Sequence, residues 1–317
     1  MKGFKRITSI VLALAMVVTS ITISGPVTVK ADNATDNWKA NGIVSPKQDK
    51  LIGAGYIDVK WDNTLTDVSQ YKVYVDGDLR ATVSPSSDKT MSTEFYTTQV
   101  SEHNVYVVAT LKNGSNVQTA NRRFYVTKKG VCVNTKDMGT AVDPASMNVG
   151  WYYNWDWKSF KDMNFSNKKF DDLEFVPMIW GDSMTETSEI FDNVKSKGYK
   201  YLLAYNEPDL KWESNVRPDV MQYRWNDCVN NKGNVRPVYF TTLPTRSNDW
   251  WTPFWNSMAA DKKNAMSFIA VHSYQKSYDG AKSALQYLQA IDECWETYHK
   301  PIWITEFAFW KFSINDA

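Results

Sequence analysis

The stretch Leu202-Leu203-Ala204-Tyr205-Asn206-Glu207-Pro208-Asp209 decides how the rest of the chain is read. An apolar, strand-forming run breaks at Asn206-Glu207-Pro208, and the proline, which has no backbone N–H, ends the strand. Two polar side chains are thereby left at the strand's C-terminal mouth, the end at which (β/α) barrels keep their chemistry. Further along, Pro301-Ile302-Trp303-Ile304-Thr305-Glu306-Phe307 repeats the design, with a glutamate again closing an apolar strand.

Around these two runs, short apolar strands alternate with helical patterns. Val131–Asn134, Asn148–Asn154, Phe175–Gly181, Tyr201–Asn206, Pro237–Thr242, Phe268–His272 and Pro301–Thr305 are expected as strands one to seven. Helices are expected over Thr187–Lys197, Val220–Val229, Phe254–Met258 and Gly280–Tyr298. The last of these places Ala284, Tyr287, Leu288, Ile291 and Trp295 on one face. Such alternation argues for a parallel α/β fold, a TIM-type (β/α) barrel over residues 129–317. A closed barrel takes eight strands, so the barrel is expected to be truncated after strand 7, with its C-terminal end incomplete.

Residues 42–128 follow a different period. Tyr56–Trp61 and Tyr71–Val75 alternate, Asp76-Gly77 and Asn113-Gly114 are turn signals, and Val105–Ala109 and Arg123–Val126 are further strands. The pattern is that of an N-terminal all-β sandwich, making the chain multidomain. It resembles a fibronectin type III domain, with Trp61, Tyr71 and the Val105, Val107, Ala109 run in order; the family's corner tyrosine falls on His103, expected here as a turn or rim residue. Such a module is expected to act as a spacer. Residues 32–41 are polar and are expected as a linker. Residues 1–31 have the form of a signal peptide: Lys2, Lys5 and Arg6, then an apolar run from Ile7 to Gly25, then Val29-Lys30-Ala31 as a cleavage site. The run is also long enough to serve as an uncleaved anchor, but a secreted, extracellular protein is the expectation.

Composition narrows the chemistry. A net charge of +1 over 317 residues gives no electrostatic reason to expect nucleic acid or an anionic membrane as partner. Aromatic residues make up 14% of the chain, including 14 Trp, an excess that suits stacking on sugar rings as well as core packing. Cys132, Cys228 and Cys294 are too few for a disulfide framework and too scattered for metal ligation; they are expected as buried small hydrophobes, with one disulfide open as the alternative. No phosphate-binding glycine loop or metal-binding helix motif appears, and neither cofactor nor metal is expected.

Two carboxylates from two strand ends match what cleavage of a glycosidic bond requires. One acid protonates the leaving oxygen while a second carboxylate, ionised, acts on the opposite side of the anomeric carbon. Glu207 is the candidate acid/base, Glu306 the candidate nucleophile, and Asn206 is placed to meet the sugar's 2-hydroxyl. Trp180, Trp155, Trp250 and Trp251 are candidate sugar platforms, Tyr153 and His272 are similarly placed, and Trp151 and Trp303 are expected in the barrel core.

Five stretches, taken together, resemble the glycosyl hydrolase catalytic core family, glycoside hydrolase family 128, in the retaining clan of barrels. They are Gly150-Trp151-Tyr152-Tyr153-Asn154-Trp155, Phe175-Val176-Pro177-Met178-Ile179-Trp180, Leu203 to Asp209, Val271-His272-Ser273-Tyr274 and Trp303-Ile304-Thr305-Glu306-Phe307-Ala308. The resemblance implies hydrolysis of β-glucan, β-1,3-glucan in particular, with net retention; it puts the acid/base at Glu207 and the nucleophile at Glu306, and has Tyr274 hydrogen-bond the nucleophile. It implies a polysaccharide partner, with contact to cell-wall or surface glycan, and a monomer is expected. A related retaining glycanase shares the same two carboxylates. A non-catalytic carbohydrate-binding or cell-surface protein derived from a truncated barrel is the rival of another class. Retention would set the Glu207 and Glu306 carboxyls about 5 Å apart.

Overall fold

The computed structural model describes residues 33–134, 143–165, 168–182, 187–241, 248–276 and 280–310; the signal segment lies outside them. The stretch expected as a linker is a helix, α1 (Asn33–Asn41). Its Trp38 is buried in the sandwich core and donates Nε1 to the Asp62 carbonyl at 2.7 Å, so one indole turns a polar segment into part of the domain.

The sandwich is two sheets. Strands β1 (Ile43–Ser45), β3 (Gly55–Asp62) and β6 (Thr90–Thr97) form one. Strands β2 (Lys50–Gly53), β4 (Val68–Val75), β5 (Asp78–Val83), β7 (Glu102–Leu111), β8 (Asn116–Gln118) and β9 (Arg122–Thr127) form the other. Alternate residues of β3, β4 and β7 point inward, and Val59, Trp61, Tyr71, Val73, Val107 and Phe124 fill the space between the sheets. His103 is not a rim residue. It is buried on Phe124, with Nδ1 2.6 Å from Asp76 Oδ2 and Nε2 near Ser101 and the Gln99 carbonyl.

The second domain is parallel throughout. Strands β10 (Gly130–Cys132), β11 (Trp151–Tyr153) and β12 (Glu174–Phe175) form one sheet. Strands β13 (Met178–Ile179), β14 (Tyr201–Ala204), β15 (Arg236–Thr241), β16 (Phe268–Lys276) and β17 (Ile302–Trp310) form the next. β12 and β13 are two halves of one stave broken at Pro177: Val176 N donates back to Tyr152, while the Pro177 carbonyl accepts forward from Leu203. The described residues thus supply seven staves in chain order, as the alternation of strand and helix patterns implied.

Both faces of the sheet are covered, as parallel strands require. Two helices are short, α2 (Pro144–Met147) and α6 (Ala260–Ala265). In β14, Tyr201 and Leu203 join the interior cluster with Met178, Phe268 and Ala270; Leu202 and Ala204 join the outer one, under α3 (Thr187–Ser196), α4 (Pro218–Asn231), α5 (Asn248–Ser257) and α7 (Gly280–Tyr298). The buried face of α7 runs through Tyr287, Ala290 and Cys294, whereas Leu288 and Trp295, expected on it, are exposed. All three cysteines are free thiols; Cys228 and Cys294 are buried and Cys132 is half-buried.

The sandwich, expected as a spacer, is packed on the foot of the barrel. Gly55, at φ +128°, lets the chain pass over Tyr201, where an added Cβ would lie 2.3 Å from the phenol oxygen. Tyr201 OH accepts from Tyr56 N, and Lys200 Nζ donates to the Tyr56 carbonyl at 2.9 Å. A cavity of about 380 Å³ lies at this junction, lined by Tyr96, Trp151, Glu174, Tyr201 and Trp303. It is at the N-terminal end of the staves, away from Glu207 and Glu306.

Candidate active site

Two backbone irregularities build the site. Past β14 the chain turns sharply, with Tyr205 at φ 65° and Glu207 at φ 43°, a left-handed conformation that costs on the order of 1 kcal/mol or more per non-glycine residue. The stave nevertheless stays registered, because Tyr205 N and Asn206 N still donate to the carbonyls of Ile179 and Trp180. The second irregularity is in β17. Val271 pairs with Ile304 but His272 pairs with Glu306, so two residues of β17 answer one of β16. This bulge resets the alternation. Trp303 faces the interior and Ile304 and Phe307 are exposed, while Thr305 and Glu306 are both buried.

Glu207, His272 and Glu306 converge at the C-terminal mouth of the staves. They are 7%, 4% and 8% exposed. His272 Nδ1 is 2.7 Å from Glu207 Oε1, sharing a hydrogen bond with it, and 3.5 Å from Glu306 Oε2. One carboxylate oxygen from each glutamate and one histidine nitrogen all lie within 4.8 Å of one another.

Glu306 is the acceptor of a converging set of donors. Tyr153 OH and Trp155 Nε1 each donate to Oε1 at 2.9 Å, and Tyr274 OH donates to Oε2 at 2.5 Å. An indole N–H can only donate, which fixes Glu306 as the acceptor. Burial, and then the hydrogen bond to Glu306 and its negative charge, push the Tyr274 phenol well above its ordinary value. Burial dominates at Tyr153 too, in the same direction, with Cys132 and Glu306 adding to it. Both phenols therefore remain donors across the working range of any hydrolase. Glu207, His272 and Glu306 are also the set among the described residues that could ligate a metal ion, but both oxygens of Glu306 already accept hydrogen bonds that an ion would have to displace.

The other residues expected at the site divide. Tyr153, Trp155, His272 and Tyr274 all contact a glutamate of the pair, Tyr153 and Trp155 as hydrogen-bond donors in place of open platforms. Trp180 is half-buried and packs with the interior cluster next to Tyr153 and Trp155. Asn206 is buried, with its amide turned to Glu213. The two α5 tryptophans are not cleft residues. Trp251 is fully buried against Phe254, Trp255 and Tyr298, and Trp250 Nε1 ties down the Val216 carbonyl at 2.8 Å. Helical spacing within α5 turns both toward the core, which a loop reading of that segment hides.

One residue beside the site went unread in the sequence, Glu213, which accepts from Asn206 Nδ2 at 2.9 Å. Its signal was the Pro208–Val216 loop itself, which closes back on the stave through Ser214 N to Asn206 O and Val216 N to Pro208 O.

A buried pair of carboxylates thus lies on staves four and seven, met by tyrosine, tryptophan and histidine. The family model described as "Glycosyl hydrolase catalytic core" matches residues 130–317, and the chain belongs to that family. Among solved structures, the chain is similar to a glycoside hydrolase family 128 endo-β-1,3-glucanase of Amycolatopsis mediterranei in complex with laminaritriose, at 27% identity and TM-score 0.47, covering 58% of this chain and 72% of that one. It is similar also to a curdlan-specific exo-β-1,3-glucanase of the same family from Blastomyces gilchristii, at 22% identity and TM-score 0.46, covering 57% and 76%. The fibronectin(III)-like modules of Clostridium thermocellum CbhA match at 19% identity and TM-score 0.26, covering 28% of this chain and 96% of theirs. No curated protein matches the chain.

Proposed function

We propose that the chain is a secreted, monomeric, retaining glycoside hydrolase that cleaves β-glucan, with Glu207 as acid/base and Glu306 as nucleophile. The observation that carries this reading is the approach of the two buried carboxylates to within 4.8 Å. That separation suits direct attack by one carboxylate; an inverting enzyme needs roughly 6.5–9.5 Å to hold a water between them.

In the first step an oxygen of Glu306 bonds to the anomeric carbon, the glycosidic C–O bond breaks, and the proton of Glu207 passes to the leaving oxygen. In the second, Glu207 takes a proton from water, the hydroxide oxygen bonds to the anomeric carbon, and Glu306 leaves as a carboxylate. Tyr153, Trp155 and Tyr274 hold Glu306 in aim, and His272 fixes which oxygen of Glu207 faces the scissile bond. Asn206 meets the 2-hydroxyl. The choice of β-1,3-linked glucan rests on the motif resemblance of the five stretches. The N-terminal domain is assigned as fibronectin type III-like, residues 1–31 as a cleaved signal peptide, and cell-wall glycan as the setting.

Sugar release from laminarin-type glucan tests the assignment, with Glu207→Gln and Glu306→Gln as controls and the anomer of the first product read by NMR. Each variant is expected to lose about 10²- to 10⁴-fold in rate, with the β-anomer formed first by the parent chain. Binding of β-glucan without any release of sugar would make the protein a carbohydrate-binding module instead.

A further inference from the structure

We infer that Glu213 is a positioning residue at the acid/base end of the site: its carboxylate holds the amide of Asn206, the residue before Glu207, in one orientation. This rests on the hydrolase reading above.

Asn206 Nδ2 donates to Glu213 Oε2 at 2.9 Å. A carboxylate can only accept, so it decides which end of the amide faces it; with the carbonyl turned that way, two acceptors would oppose each other. Asn206 Oδ1 is buried and takes no hydrogen bond from any described residue. The amide therefore keeps its second N–H and its Oδ1 for a sugar hydroxyl, in the orientation that Glu213 fixes. The backbone is clamped by the same loop, since Ser214 N donates to the Asn206 carbonyl at 3.2 Å.

Glu213 is also coupled to the reacting groups. Burial pushes its carboxyl up from the ordinary value, and the charges of Glu207 and Glu306 act in the same direction; the hydrogen bond from Asn206 and the charge of His272 oppose them.

The test is hydrolysis of laminarin by the chain, Glu213→Gln and Glu213→Ala, with kcat and KM across pH and the thermal midpoint of each. Glu213→Gln keeps an acceptor oxygen but no charge. It is expected to hold kcat and KM within about threefold of the parent, because the retained oxygen still accepts from the Asn206 amide. Glu213→Ala is expected to lose about tenfold or more in kcat, with KM within about twofold and an unchanged thermal midpoint. If both variants match the parent in kcat, the inference fails while the hydrolase reading stands. Equal loss in both variants also overturns it, since the acceptor oxygen that Gln retains would then not be what orients the amide. A parent chain that releases no sugar from any β-glucan overturns the hydrolase reading and this inference together.

Discussion

Tyr153 and Glu306 are 153 positions apart in the chain, on β11 and β17, and meet across the barrel interior with the phenol donating to the carboxylate at 2.9 Å. That contact shows how far the sheet curls, because staves two and seven are not neighbours in it. It also makes a prediction. Tyr153→Phe removes one of the two donors on Oε1 and leaves the ring in place against Trp155, 5.1 Å away. A hydrogen bond to a charged group contributes about 1.5–3 kcal/mol, so kcat/KM is expected to fall roughly 10- to 100-fold. An unaltered rate in the folded variant would show that Glu306 is not the attacking group.

Trp212 offers a different kind of test. It is 77% exposed, unusual for so large an apolar side chain, and it lies in the same loop as Glu213, which reaches Asn206. A sugar ring stacked there would be held by roughly 1 kcal/mol or more. Trp212→Ala is expected to raise KM for laminari-oligosaccharides about fivefold or more, with kcat within about twofold. Stability should stay within about 0.5 kcal/mol, as for an exposed side chain. An unchanged KM for every oligosaccharide length would remove Trp212 from the substrate path.

Much of this was legible because the signals were local. The proline after Glu207 and the apolar runs before both glutamates announce strand ends in the sequence itself, and the staves were placed to within a few residues. What could not be read depends on residues far apart. The bulge at Thr305, which turns Glu306 inward, arises in the pairing of β17 with β16 and has no signature in Ile304-Thr305-Glu306. Trp155 looked like a platform because nothing local says that its indole N–H will find a carboxylate 151 positions away. The segment 33–41 looked like a linker because its one apolar anchor, Trp38, is outvoted by polar neighbours in any window.

Acid stability should depend on Asp162. Burial alone would raise its carboxyl, but hydrogen bonds from Lys197, Ser159 and Tyr199 outweigh it and hold the group at about 2, against an ordinary 3.8. A carboxyl with a lowered folded-state value contributes stability above pH 3.8, lost as pH falls toward about 2. The contribution is about 2 kcal/mol for a side chain that is only 15% exposed. Asp162→Asn is therefore expected to lower the urea midpoint at pH 7, with the gap from the parent closing as pH falls below about 3. A gap that stays constant with pH would assign the loss to packing instead.

The junction between the two domains yields the last prediction. Arg236 lies 3.4 Å over the Tyr56 ring and pairs with Glu94 at 2.5 Å, reaching from the foot of β15 to the sandwich. Lys200, 16% exposed, binds the Tyr56 carbonyl at 2.9 Å and has Asp58 and Glu174 at 3.6 and 3.8 Å. Charges this sheltered are costly to strand, so removing one partner leaves the others unmatched. With these ties intact the two domains should melt as one unit in calorimetry. Replacing both cations, Lys200→Ala with Arg236→Ala, is expected to cost about 2–4 kcal/mol and to separate the melting into two transitions. The variants are within reach of each other through Tyr56, so their effects should not add. Two transitions already present in the parent chain would mean that the sandwich and the barrel fold independently, and that the junction orders them without coupling their stabilities.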